Sequence, residues 1–196
     1  MPKHSSNFNS ETPQRAAKPF DIVVFGATGY TGELTAAYLA EHGGKDLRWA
    51  LAGRNPAKLE AVRARLAARF PACKKLPLLE GDAADAASLA KVASATRVVI
   101  TTVGPYLRYG EPLVAACAAA GTDYVDLTGE PEFVDRMWLA YHEQAQKTGA
   151  RIVSSCGFDS IPHDLGAWFT VQQLPQDVPI TVEGFVRAGG ELSGGT

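Results

Sequence analysis

The chain has 196 residues, 46% of them hydrophobic and 20% charged, with a formal net charge of -2 at pH 7. That length allows one good core and part of another, and the scattered basic residues give no support to nucleic-acid binding. No stretch approaches the roughly 20 apolar residues of a membrane span, and Cys73, Cys117 and Cys156, with no C-x-x-C spacing, fit neither a disulfide framework nor a zinc site, so a reducing, cytoplasmic setting suits them best.

Residues 1–19 are polar, contain Pro2, Pro13 and Pro19, and lack the apolar run of a signal peptide; they are expected to form a disordered tail. An apolar run at 22–25 then breaks into Gly26, Gly29 and Gly32, and an alanine-rich amphipathic stretch follows, expected as a helix over 30–42 that Gly43 and Gly44 stop. A second strand over 48–53 leads into Arg54, Asn55 and Pro56 and a helix to residue 69, with Leu59, Val62, Leu66 and Phe70 as its apolar stripe. A third strand is expected at 76–79, a helix at 85–94, and a β-branched fourth strand at 97–103. After a loop with Gly104 and Pro105 come a helix over 111–120, a strand over 124–127, a helix over 131–147, a strand over 152–154 and a helix reaching residue 173. Residues 180–187 read as one more strand, the start of a second α+β domain.

This alternation predicts an α/β, Rossmann-type doubly wound parallel sheet covered on both faces, with a nucleotide-binding domain over 20–155 and a lead into a second domain over 156–196. Ligands of such sheets lie beyond the C-terminal ends of the strands, where the strand order reverses. The glycine turn, from Gly26 through Ala27, Thr28, Gly29, Tyr30 and Thr31 to Gly32, therefore offers backbone amides and a helix N-terminus to a pyrophosphate. Its spacing, G-x-x-G-x-x-G, is a variant of the dinucleotide fingerprint. In the slot where NAD enzymes place a carboxylate for the ribose hydroxyl, this chain has Arg54. A guanidinium there can grip a 2′-phosphate with two charge-assisted bonds, which points to NADP(H); the competing reading is a solvated residue beside the helix cap at Asn55 and Pro56. Asp82 either accepts from an adenine amino group or makes a turn after Gly81. Val103 and Gly104 fall beside the expected ribose and nicotinamide. Tyr106 either lines a substrate cavity or packs over the sheet edge, and Tyr109 reads as packing.

The segments Phe-Gly-Ala-Thr-Gly-Tyr-Thr-Gly (25–32), Ala-Gly-Arg (52–54), Val-Gly-Pro-Tyr (103–106), Tyr-Val-Asp-Leu-Thr-Gly-Glu (124–130) and Cys-Gly-Phe-Asp-Ser-Ile-Pro (156–162) together resemble the saccharopine dehydrogenase-like oxidoreductases, nearest to the trans-acting enoyl reductases of bacterial lipid and polyketide biosynthesis. The resemblance implies the NADP-binding N-terminal part of a two-domain reductase longer than this chain. It also implies reduction of a carbon–carbon double bond in a small-molecule or carrier-bound acyl substrate, and a homodimer formed through a C-terminal half.

No catalytic residue is assigned. Short-chain dehydrogenases need Tyr-x-x-x-Lys, and none of the six tyrosines has a lysine four residues on. Cys156, Asp159 and His163 sit at the right edge of the sheet. Yet Ser160 as an N-cap, with Pro162 and Asp164 in the first turn, explains that segment without chemistry. Glu130, next to Pro131, reads as a capping or packing carboxylate before it reads as an acid. Two alternatives stay open: a non-catalytic NADP sensor, and a saccharopine-type amino-acid dehydrogenase.

Overall fold

The computed structural model describes residues 17–175, 177–187 and 189. Six strands form one parallel sheet: β1 (Phe20–Phe25), β2 (Trp49–Gly53), β3 (Leu78–Glu80), β4 (Thr96–Thr101), β5 (Asp123–Val125) and β6 (Ile152–Val153). Their spatial order is β3-β2-β1-β4-β5-β6, so the direction of winding reverses between β1 and β4. The apolar runs read from the sequence are the central strands. All five residues of β2 are buried, as a strand covered on both sides requires.

The helices α1 (Tyr30–His42) and α2 (Pro56–Arg69) have the expected bounds, because Gly43 and Pro56 punctuate them. Asn55 caps α2, its Oδ1 accepting from the Lys58 amide at 3.0 Å. They are followed by α3 (Ala86–Ala95), α4 (Tyr106–Tyr109), α5 (Glu111–Ala120), α6 (Pro131–Thr148) and α7 (Ile161–Val171). Right-handed crossovers put α1 and α2 on one face and α3, α5 and α6 on the other. The larger core lies under α3, α5 and α6 and contains Val23, Phe25, Leu89, Val92, Val99, Val114, Cys117, Tyr124 and Phe133. The smaller one, under α1 and α2, gathers Val24, Ala36, Leu51, Leu59, Val62 and Leu66.

Among the described residues the cover differs between the two faces. Strand register aligns Val24 with Ile100 and Ile100 with Val125, and Val125 with Val153, so all four share the α1 face. Over β4 to β6 that face carries no described helix: Ile100 and Val125 are half-buried and Val153 is exposed. The reason is the winding itself, because the helices of β4, β5 and β6 all fall on the opposite side. Tyr30, Leu34 and Tyr38 of α1 are exposed, and α7 buries none of its residues.

Other expectations shift locally. A short 3-10 helix at Pro71–Lys75 displaces β3 to Leu78–Glu80. Residues 180–187 have no regular structure; nearly all are exposed and no described strand pairs with them, so no hydrogen-bond ladder among the described residues holds them extended. Most of the expected tail lies outside the described residues, but Lys18 belongs to the domain. Its Nζ donates to the carbonyls of Ala93 (3.2 Å) and Ala120 (3.1 Å) and to Thr122 Oγ1, closing the bottom of the sheet. The three cysteines are free thiols. Cys117 is fully enclosed in α5, and burial pushes its thiol up to about 12.

Candidate dinucleotide site

At the C-terminal end of β1 the chain turns through Gly26 at φ +86°, a left-handed conformation that suits glycine. A Cβ on Gly26 would lie 2.6 Å from Val103 Cγ2 and 2.9 Å from Thr102 Oγ1, so the loop after β4 rests directly on the glycine turn. Thr102 Oγ1 reinforces this, donating toward the Gly26 carbonyl at 3.2 Å. Gly32 brings α1 onto the turn: a Cβ there would stand 2.2 Å from the Gly26 oxygen. At Gly29 the nearest atom to a Cβ would be that same oxygen at 3.4 Å, so its outer side is open.

The first bond of α1 runs from the Glu33 amide to the Gly29 carbonyl at 2.9 Å. The amides of Tyr30, Thr31 and Gly32 therefore precede the helical ladder, and no side chain caps this end. Thr28, Gly29, Tyr30 and Thr31 are exposed around it. Ala27 differs, being fully buried, with its amide engaged by the Ala52 carbonyl at 3.3 Å. A carboxylate so near an anion site would be unfavourable if free. Glu33 is neutralised by Arg65, whose Nε donates to it at 2.7 Å and whose guanidinium holds the Glu33 carboxyl below the usual carboxylate range.

Arg54 follows β2 immediately, on the same edge as the glycine turn, since Ala52 is level with Phe25. It is exposed and has no hydrogen-bond or ion-pair partner among the described residues. Arg48, Arg63, Arg65, Arg97, Arg136 and Arg151 all have carboxylate partners. The first turn of α2 beside Arg54 contains no acidic residue. Asp82, after β3, is half-buried; its Oδ1 accepts from the Ala84 amide at 3.0 Å, so it does make the turn foreseen as one of its two readings. The structure thus brings Gly26–Gly32, Arg54, Asp82, Val103 and Gly104 to one edge of the sheet. Arg54 and Asp82 lie on the β2–β3 side of the glycine turn, and Val103 and Gly104 on the β4 side. A bare helix N-terminus, an open glycine and an unpaired arginine fit a phosphorylated dinucleotide.

The candidate acids are otherwise occupied. Glu130 accepts from the Tyr106 amide (Oε1, 2.7 Å) and the Leu107 amide (Oε2, 2.8 Å), so it caps α4, not the helix that follows it in sequence. Asp126, buried, accepts the Tyr124 hydroxyl at 2.8 Å and the amides of Thr128 (3.1 Å) and Ser155 (2.9 Å). Tyr106 is a core residue, not a cavity wall. Its hydroxyl donates to the Thr101 carbonyl at 3.2 Å, and burial pushes its pKa up to about 12. Tyr109 is the more exposed of the pair, with the Arg108 guanidinium 5.1 Å over its ring. Ser160 precedes α7 but its side chain makes no cap bond, because its backbone is already helical (φ -118°, ψ -51°). Asp159 and His163 are exposed and Cys156 is half-buried. No group of metal-ligating side chains occurs among the described residues. Nor is any described helix long and apolar enough to cross a membrane.

The roles of Thr102, Asp126, Thr128 and Ser155 were not read from the sequence. Asp126 to Thr128 and Thr128 to Glu130 each have the two-residue spacing of a side chain folding back on its own backbone, and that was the available signal.

The family described as "Saccharopine dehydrogenase NADP binding domain" matches residues 22–153. A Mycobacterium tuberculosis protein provisionally named a trans-acting enoyl reductase is 55% identical over 160 residues, 82% of this chain and 37% of that protein. The trans-acting enoyl reductase of Mycobacterium ulcerans is 50% identical over 162 residues, 83% of this chain and 38% of that one. The chain thus spans about two-fifths of the length of these curated relatives. Among solved structures, apo saccharopine dehydrogenase (L-Glu forming) from Saccharomyces cerevisiae superposes with a TM-score of 0.63 at 18% identity, over 79% of this chain and 31% of that one, a likeness of fold. The chain belongs to the saccharopine dehydrogenase NADP-binding domain family, and NADP(H) is its cofactor.

Proposed function

We propose that this domain serves an NADP(H)-dependent oxidoreductase that reduces a carbon–carbon double bond in an acyl substrate, free or carried on a thioester. NADPH, when bound, supplies the hydride. The chain's own part is to seat the diphosphate on the amides of Tyr30, Thr31 and Gly32, and to select the phosphorylated ribose through Arg54. Val103 and Gly104 would present the remaining half of the dinucleotide to substrate. The observation that carries the cofactor part is the exposed Arg54, without a partner among the described residues, on the same sheet edge as the uncapped start of α1. The acyl part rests on the relatives at 50–55% identity named as enoyl reductases. Three free thiols suit a cytoplasmic location, and a homodimer would belong to the longer polypeptide.

Titration with NADPH and NADH tests the selection. Arg54→Ala is expected to weaken NADPH by about tenfold to a hundredfold, the worth of a bidentate charged contact, while NADH changes little. Equal weakening of both overturns the assignment. A second reading, a non-catalytic NADP sensor, is favoured by one finding: Asp126 and Glu130 both hold backbone amides and are not presented as acids. NADPH consumption on an α,β-unsaturated thioester by a polypeptide of the relatives' length separates the two, since a sensor binds without turnover.

A further inference from the structure

The loops after β4, β5 and β6 are tied in series. The Ser155 amide donates to Asp126 Oδ1 (2.9 Å), which also accepts the Thr128 amide (3.1 Å). Thr128 Oγ1 accepts the Glu130 amide (3.1 Å), and the two Glu130 oxygens accept the Tyr106 and Leu107 amides. The Tyr106 hydroxyl closes the circuit, accepting from the Leu127 amide at 3.4 Å. The segment thus held, α4, has four residues and is too short to persist unaided. Immediately before it stand Val103, which packs on Gly26, and exposed Gly104.

With its 2′-phosphate at Arg54 and its diphosphate at the start of α1, a dinucleotide must cross from the β2 side to the β4 side of the switch point. Its redox-active half then meets the loop that α4 anchors. We infer that Glu130 is a positioning residue for that half of NADP(H). Through two amides it fixes the path of residues 103–105, and it has no part in holding the adenosine half. The inference rests on the cofactor site proposed above. Both carboxylate oxygens are engaged, so Glu130 acts on the cofactor only through this loop.

Two ligands separate the halves. NADPH spans the whole site; adenosine 2′,5′-bisphosphate occupies only the Arg54 side. Binding of each is measured on the wild type, Glu130→Ala and Glu130→Gln, with circular dichroism melts alongside. Glu130→Ala is expected to weaken NADPH about tenfold, the effect of losing charge-assisted bonds, and to leave the bisphosphate within about twofold. Glu130→Gln keeps one acceptor oxygen and should fall between, and it carries the test if the alanine variant does not fold. Equal loss for both ligands, as from a general loss of structure, or no loss of NADPH affinity, overturns the inference. If the wild type binds neither ligand, the cofactor site itself is wrong, an outcome distinct from the failure of Glu130.

Discussion

Gly29 and Gly32 lie three residues apart in one turn and answer to different constraints. A methyl group on Gly32 would collide with the Gly26 carbonyl at 2.2 Å, main chain against main chain, where neither partner can swing aside. Gly29 has an ordinary φ of -86° and open space outside it. Gly32→Ala is therefore expected to cost about 2 kcal/mol or more by forcing α1 off the sheet, while Gly29→Ala keeps stability within about 1 kcal/mol. Their effects on the cofactor should rank the other way relative to stability: Gly29→Ala melts near the wild-type temperature yet binds NADPH weakly, because its methyl fills the phosphate cradle. Thermal melts and NADPH titration of both variants check this, and normal NADPH affinity in Gly29→Ala would count against the cradle. At this scale the placement of the glycine turn and Arg54 at one sheet edge was legible, because it follows from where strands end. The sequence was uninformative about Glu130, whose partners lie 24 and 23 residues earlier and meet it only across the folded sheet edge.

Elements were legible where local chemistry punctuates them. Gly43 after α1, Pro56 at the head of α2 and the β-branched run of β4 all act within a few residues. The helix α4 was missed because its cap comes from another loop, and Ser160 misled because cap identity does not fix cap geometry. The joints between elements also hold a pH response. Asp21, at the start of β1, accepts from Arg48, just before β2 (Nη2, 2.8 Å; Nε, 3.2 Å), and Arg97 of β4 approaches within 3.6 Å. The Arg48 hydrogen bonds lower the Asp21 pKa from 3.8 to about 2. A carboxyl depressed in the folded state contributes its stability in full above its unfolded pKa and loses it as pH falls through the folded one. Asp21→Asn should thus melt below the wild type at neutral pH, and the gap should close between about pH 4 and 2. A gap that stays constant down to pH 2 would show that the β1–β2 ion pair is not its source.

For the whole molecule, the order β3-β2-β1-β4-β5-β6 gathers the glycine turn, Arg54 and Gly104 at one edge, and no described helix covers half of one face. The period of strands and helices revealed the sheet and its direction. It could not reveal where the described helices leave strands uncovered, because a strand that is apolar on both sides reads the same whether or not a partner lies over it. The three thiols are also shielded unequally. Cys117 and Cys73 sit inside the two cores, at 0% and 4% exposure, while Cys156 stands half-buried behind β6. A disulfide reagent such as dithionitrobenzoate should therefore release one equivalent of chromophore promptly and two more only as fast as the domain opens. The two late equivalents make an internal stopwatch for unfolding. Adding NADPH should slow it while leaving the prompt equivalent untouched.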